Sequence, residues 1–249
     1  GMGGQANTNS TFGSSNFSGS IQSTVSANTT AGFSIVSYTG TGSNATIGHG
    51  LGKKPDWIIV KAYEDAQQWA VQHSALGATK GIRINTTAAA YTSSTRWNNT
   101  EPTSSVFSVG SEAEVNTNTE DHIAYCFTSI KGYSKFGSYT GNGNSDGAFV
   151  YTGFKPAFII QKSTSINANW PIWDSTRNTS NIAHRVLNTD LSDAEYTSAD
   201  GVVGIDILSN GFKMRDNNAT RNQSGVNYIY IAFAESPFVN SNGVPTNAR

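Results

Sequence analysis

The sequence predicts an all-β fold: two tandem antiparallel β-sandwiches, lectin-like or jelly-roll-like, internally duplicated. Three observations predict it. The apolar residues come in short strand-length runs, with no helical pattern lasting three turns. The runs are separated by clusters of Gly, Asn, Ser and Thr, which turn a chain through positive φ and local side-chain hydrogen bonds. The second half of the chain also repeats the first at an offset near 101 residues.

The repeat is read from matched runs. Ser37-Tyr38-Thr39-Gly40 recurs as Ser138-Tyr139-Thr140-Gly141, and Lys54-Pro55-Asp56-Trp57 as Lys155-Pro156-Ala157-Phe158. Trp69-Ala70-Val71 recurs as Trp170-Pro171-Ile172, and all three matches share an offset of 101. Ile84-Asn85-Thr86 matches Leu187-Asn188-Thr189 at offset 103, and the run 123–127 matches 229–233 at offset 106. Such drift is what loops tolerate and strands do not. A period near 100 residues is too long for a solenoid repeat and suits two domains, each with its own core.

The elements follow in order. Residues 1–31 read as a polar linker or docking arm with one short strand at 21–25. The first sandwich spans 32–131, with strands at 33–38, 57–62, 69–72, 82–85, 106–109 and 123–128. The second spans 132–237, with strands at 135–140, 149–151, 158–162, 170–173, 184–187, 204–208, 212–214 and 228–234. Asn210-Gly211 between two of these marks a hairpin turn. Residues 190–196 read as one short helical turn, and 238–249 as a polar tail.

Composition narrows the function. The 249 residues carry 16 Lys+Arg against 17 Asp+Glu, and charged residues are 13% of the chain, about half the usual ~25%. Ser, Thr and Asn together make up one third of it. A net charge of −1 excludes a nucleic-acid binder that works by displacing counterions, and a polybasic membrane-surface protein. Hydrophobic residues at 37% and aromatics at 11% exclude disorder of the whole chain. No long apolar block exists, so no membrane insertion is expected, and no basic-plus-apolar leader pattern suggests export. The single cysteine, Cys126, excludes an intramolecular disulfide framework and reads as a small buried hydrophobe.

The repeat sorts the candidate residues. Positions filled alike in both halves are expected to serve the fold. Trp57, Trp69, Phe158 and Trp170 therefore read as core, and Tyr38 and Tyr139 as structural, with each hydroxyl bonded at a strand end. Lys61 and Lys162 read as solvated residues at strand edges. Positions present in one half only are freer to bind: Trp97, Trp173, His49, His73, Arg83, Arg96, Arg177 and His184.

Trp97 stands out, with Arg96, Asn98 and Asn99 around it on a polar loop that has no evident match in the second half. An indole stacks on the apolar face of a sugar while Arg and Asn bond its hydroxyls, so this loop is the first candidate glycan site. Trp173, Asp174 and Arg177 make a second, weaker one.

Other chemistry is less well supported. The loop 140–147 is glycine-rich with one carboxylate, Asp146, too few for calcium. The four histidines lack zinc spacing. No nucleophile elbow, phosphate loop or dinucleotide fingerprint occurs. Glu64, Asp65, Asp174, Glu195 and Asp206 are the carboxylates from which a glycosidase pair would come. The expectation is a protein that is not an enzyme and needs no metal or organic cofactor.

The residues also carry a resemblance. Gly32-Phe33-Ser34-Ile35-Val36-Ser37-Tyr38-Thr39-Gly40, Gly48-His49-Gly50-Leu51-Gly52 and Gly132-Tyr133-Ser134-Lys135-Phe136-Gly137 are among the runs that resemble an uncharacterised tandem-repeat domain family. So do Tyr151-Thr152-Gly153-Phe154-Lys155-Pro156 and Leu208-Ser209-Asn210-Gly211-Phe212-Lys213. That family occurs in structural and tail-fibre-like proteins of tailed phages of marine bacteria. The resemblance covers residues 25–249 and brings no catalytic or binding residues with it. It implies a virion component, assembled in the bacterial cytoplasm: a tail-fibre or appendage module touching other virion proteins and host-surface polysaccharide. The alternatives are a purely structural or decoration module and a polysaccharide-degrading fibre enzyme. Fibre proteins are commonly trimers, so a homo-oligomer is expected.

Overall fold

A computed structural model describes residues 13–197 and 204–237. The chain divides into two compact units: residues 1–83 with 90–129, and residues 84–89 with 130–249. Each is an antiparallel β-sandwich.

The first unit contains β1 (Ser14–Asn16), β2 (Ser23–Asn28), β3 (Phe33–Thr39), β4 (Ala45–Gly48), β5 (Trp57–Ala62), β6 (Ala70–His73), β7 (Lys80–Arg83), β8 (Tyr91–Thr92), β9 (Val106–Val109), the single-turn helix α1 (Ala113–Asn116) and β10 (Asp121–Phe127). Eight strands form one sheet in the order β1-β2-β3-β10-β5-β6-β7-β8, and β4 and β9 form a second. Alternation sets the faces: in β3 the buried side chains are Ser34, Val36 and Tyr38, and in β10 His122, Ala124 and Cys126. Ile47, Phe107 and Val109 of the small sheet pack against them with Trp97.

The second unit contains β11 (Ser134–Thr140), β12 (Phe149–Tyr151), β13 (Pro156–Ser163), β14 (Pro171–Asp174), β15 (Arg185–Asn188), β16 (Tyr196–Thr197), β17 (Ile205–Leu208), β18 (Gly211–Met214) and β19 (Asn227–Ala234). Its sheets run β11-β19-β13-β14-β15-β16 and β12-β18-β17. Ile159, Trp173, Tyr230 and Ala232 face Val150, Phe212 and Met214 across the core.

The main sheet of the second unit follows the order β3-β10-β5-β6-β7-β8 of the first, and matched contacts accompany it. Tyr38 stacks on His122 at 5.2 Å and meets Phe107 edge-on at 6.1 Å. Tyr139 stacks on Tyr228 at 5.0 Å and meets Phe212 edge-on at 6.2 Å. Each hydroxyl donates to a carbonyl at 2.6 Å, of Val115 and of Arg221. Two fully buried asparagines then clamp the glycine-rich loops. Asn116 accepts from Thr41 N–H at 2.8 Å and donates to Ser43 and Gly110 carbonyls. Asn222 accepts from Asn142 N–H at 3.0 Å and donates to Asn142 Oδ1, Asn144 O and Asp216 O. Gly40 and Gly141 are required there by space: a Cβ on either would lie 2.2 or 2.3 Å from the carbonyl oxygen of Thr117 or Gln223.

Several expectations need correction. Residues 13–31 are no linker; β2 pairs with β3 from Thr24↔Ser37 to Asn28↔Phe33, because its alternating Ser23 and Val25 have a core face to fill. The strand expected at 21–25 lies at 23–28, and residues 1–12 and 238–249 fall outside the described residues. The boundary lies at 129/130, and residues 84–89 belong with the second unit. The pairing register replaces the match at offset 103. Val71↔Ile82 corresponds to Ile172↔Leu187, so Ile82 rather than Ile84 is the counterpart of Leu187. The same register puts Tyr91-Thr92 opposite Gly81 and Lys80, and Tyr196-Thr197 opposite Val186 and Arg185. The start of the Trp97 loop therefore does have a match. The helical turn is at 113–116, while 190–196 has none. The hairpin turns on Ser209-Asn210, since Gly211 already pairs with Leu208.

Candidate functional site

The loop chosen from sequence is built inward. Trp97 and Arg96 are both fully buried. Asn98 and Asn99 take left-handed conformations, φ 50 and 47, which asparagine tolerates better than most residues. That turn sends the indole back into the core of the first sandwich. Trp97, Arg96, Asn98 and Asn99 therefore do not form a sugar-stacking site, because the ring has no exposed face.

Arg96 is instead the centre of an ion network. Its Nη2 bonds Glu112 Oε1 at 2.7 Å and also Glu114 Oε2. Arg83 Nε donates to Glu114 Oε1 at 2.7 Å. The Tyr91 ring contacts both guanidinium groups, 4.9 and 5.0 Å from its centroid, and its hydroxyl donates to Glu112 at 3.0 Å. Burial pushes the Glu112 carboxyl up, but the hydrogen bonds from Arg96, Tyr91 and Ser93 outweigh it and hold the group below its ordinary range. Two cations and two carboxylates close on each other, so a buried arginine is neutralised.

Trp173 is likewise fully buried, opposite Ile159 in the second core. Asp174 and Arg177 remain together: Nε lies 2.5 Å from Oδ2, and Arg177 Nη1 reaches Glu195 at 3.0 Å. Asp174 Oδ1 also accepts the backbone N–H groups of Thr176 and Arg177, closing the turn after β14. Burial raises the Asp174 carboxyl, and the Arg177 bonds carry it below its usual range. Of the second cluster, Trp173 is core and Asp174 with Arg177 is a turn-fixing ion pair.

The lysines differ from the sequence reading too. Lys61 is half-buried and bonds carbonyls of its own loop. Lys162 is fully buried: its Nζ donates to Thr87 O at 2.8 Å and to Ala168 O, 5.8 Å from the Trp170 ring. Burial lowers its pKa to about 8, with Asp190 pulling the other way. Trp57 and Trp170 are buried, whereas Trp69 and Phe158 are only half-buried. Burial pushes the Cys126 thiol up to about 12, so the group is an inert filler. His49 is held at 3.2 Å by Thr103 O and by Leu51 N–H, and burial lowers its pKa. His73 is fully buried and accepts from Ala75 N–H, and half-buried His184 bonds Ile182 O. Asp146 is engaged by Lys213 at 2.5 Å and Arg215 at 3.6 Å, as a surface ion pair.

The exposed chemistry lies elsewhere, on β12. Phe149 is 48% and Tyr151 64% exposed, with Val150 buried between them. Alternation along a strand puts both rings on one side, about 7 Å apart. Phe149 pairs with Lys213 and Tyr151 with Gly211. The Phe149 ring comes within 3.2 Å of a Cβ built on Gly211, and Tyr151 within 3.5 Å of one built on Gly153. Both side chains thus stand beside a glycine and remain exposed.

Among the described residues, the first unit has no such pair at the corresponding strand. Ile47 opposite Phe107 corresponds to Val150 opposite Phe212, which places Thr46 and Gly48 where the rings stand. Gly19 and Ile21 also bridge to Ile47 there. The two rings are thus aromatic positions present in one half only, and aligning Phe149-Val150-Tyr151 with Thr46-Ile47-Gly48 would have found them.

Fold and site together define a two-unit antiparallel β-sandwich protein with an aromatic strip on the three-stranded sheet of the second unit. The chain belongs to the family described as a domain of unknown function, DUF7483, whose profile matches residues 6–237. No curated protein and no solved structure matches it significantly.

Proposed function

We propose that this chain is a non-enzymatic component of a tailed-phage virion, a tail-fibre or appendage module that holds host-surface glycan against the Phe149–Tyr151 strip. The observation that carries the reading is the pair of exposed rings on one face of β12. Sugars present apolar C–H faces that stack on such rings. Lys213, Arg215, Asp146 and Asp206 flank the strip as mutual ion pairs, which offers donors and acceptors to hydroxyls without a net charge.

Four carboxylates are tied up by arginine. Glu112 and Glu114 are bridged by arginine, as are Asp174 and Glu195. A glycosidase acid has to keep its proton near neutral pH, while Glu112 and Asp174 are held below the ordinary carboxyl range. No metal or organic cofactor enters this reading.

A single open strip of this kind binds at about millimolar Kd, near −4 kcal/mol, so display in several copies, as in a trimer, supplies firm attachment. The test is a glycan array probed with the multimerised chain, beside its Tyr151→Ala and Phe149→Ala variants. Binding that either substitution reduces at least tenfold supports the strip. Binding unchanged in both variants refutes it, and silence on every marine bacterial polysaccharide tried favours a structural or decoration module.

A further inference from the structure

A cleft opens in the second unit. Its volume is about 350 Å³ and it is lined by Lys155, Ser175, Asn178, Thr179, Ser180, Asn181, Ile207 and Glu235, at the small end of the range for ligand pockets. None of these residues belongs to the aromatic strip.

The cleft wall is a loop made rigid by two asparagines. Asn178 accepts from His184 and Arg185 N–H at 3.0 and 2.9 Å and donates to Arg185 O at 3.1 Å. Asn181 exchanges both amide bonds with the backbone of Ile207, at 2.8 and 3.0 Å, as a neighbouring strand would. These side chains are committed to the scaffold. The hydroxyls of Ser175, Thr179 and Ser180 have no hydrogen-bond partner among the described residues. On the other side Lys155 holds Glu235 through both carboxylate oxygens, at 3.1 and 2.9 Å.

We infer that this cleft is a site for one neutral sugar unit, such as the terminal residue of a glycan. The lining is hydroxyls and amides with one aliphatic side chain, so burying an apolar ligand there gains little. Lys155 and Glu235 cancel, so no net charge draws an ion. A vicinal diol fits such a pair, with one oxygen accepting from the ammonium and the neighbouring hydroxyl donating to the carboxylate. The three unpartnered hydroxyls complete the ring of contacts, and the backbone that carries them is already held by Asn178 and Asn181, which lowers the entropic cost.

The experiment is an NMR titration of the full chain with glucose, galactose and N-acetylglucosamine, and with acetate and glycine as charged probes. At least one sugar is expected to shift the amides of 175–181 saturably, with a Kd on the order of millimolar. Ser180→Trp, which fills the cleft from an exposed position, weakens that sugar at least tenfold, and Thr179→Ala weakens it several-fold. Tyr151→Ala leaves it unchanged, which separates this site from the aromatic strip. Overturning results are saturable shifts from acetate or glycine alone, no shift at 175–181 with any sugar, or equal binding by both cleft variants.

Discussion

Trp97 shows how residue type and polar neighbours mislead when backbone conformation is not visible. The Arg-Trp-Asn-Asn sequence looks like a sugar-binding loop, yet a left-handed Asn98-Asn99 turn aims the indole inward. The partners that neutralise Arg96 stand at 112 and 114, too far along the chain to be read as a cluster. Trp97→Ala is therefore expected to cost about 3–5 kcal/mol in a denaturant titration, as large aromatic deletions in cores do. Tyr151→Ala should stay within ~0.5 kcal/mol of the parent, as changes at exposed positions do. The histidines give a second residue-scale prediction. Burial lowers the pKa of His49 and His122 from 6.5, so the unfolded chain binds more protons just below that pH. Stability then falls as pH drops from 6.5 toward 5. Urea midpoints across that range should decline, and the decline should be smaller in His122→Gln.

At the scale of elements, most strands were legible because their apolar runs alternate and end at turn-forming residues. The runs 57–62, 106–109 and 149–151 coincide with β5, β9 and β12. The missed strands were those without an apolar run. In β4 the sequence is Ala-Thr-Ile-Gly, and β8 and β16 have two residues each. Their places are set by partners across the sheet, which a linear reading does not contain. Missing β4 also hid the contrast that makes Phe149 and Tyr151 conspicuous. The buried asparagines were silent for the same reason, being two among many. Asn116→Ala and Asn222→Ala should each cost about 1–3 kcal/mol, since each leaves backbone groups of a glycine-rich loop unpaired. Gly40→Ala and Gly141→Ala should also destabilise, by forcing a Cβ into a carbonyl oxygen. Thermal melts of the four variants check both, and equal losses at matching positions would mark one device used twice.

For the whole molecule, the short alternating runs announced antiparallel sheets, but the two units draw their chain from other residues than the offset near 101 suggested. Residues 84–89 interrupt the first unit and are knitted into the second: Thr189 Oγ1 donates to Ile84 O at 2.8 Å, and Ala168 N–H and Lys162 both reach Thr87 O. Lys162 makes this measurable. Its pKa in the folded chain is about 8 against 10.5 for an ordinary lysine. Between those values the unfolded chain holds the extra proton, so this group makes the fold more stable as pH rises. Titrations from pH 7.5 to about 9.5 should show the parent gaining on Lys162→Met. Parallel curves would mean that the ammonium is not desolvated as drawn.

The six borrowed residues also set an order of events on the ribosome. Residues 14–127 contain every described strand of the first sandwich and precede those of the second, so that unit can close while the second is still being made. Segment 84–89 then waits as an unfilled loop until β13, β14 and β15 have been translated. For the same reason, a gene fragment cut at residue 130 would encode the later sandwich without a piece of its own wall, so recombination can move the first module alone more easily than the second.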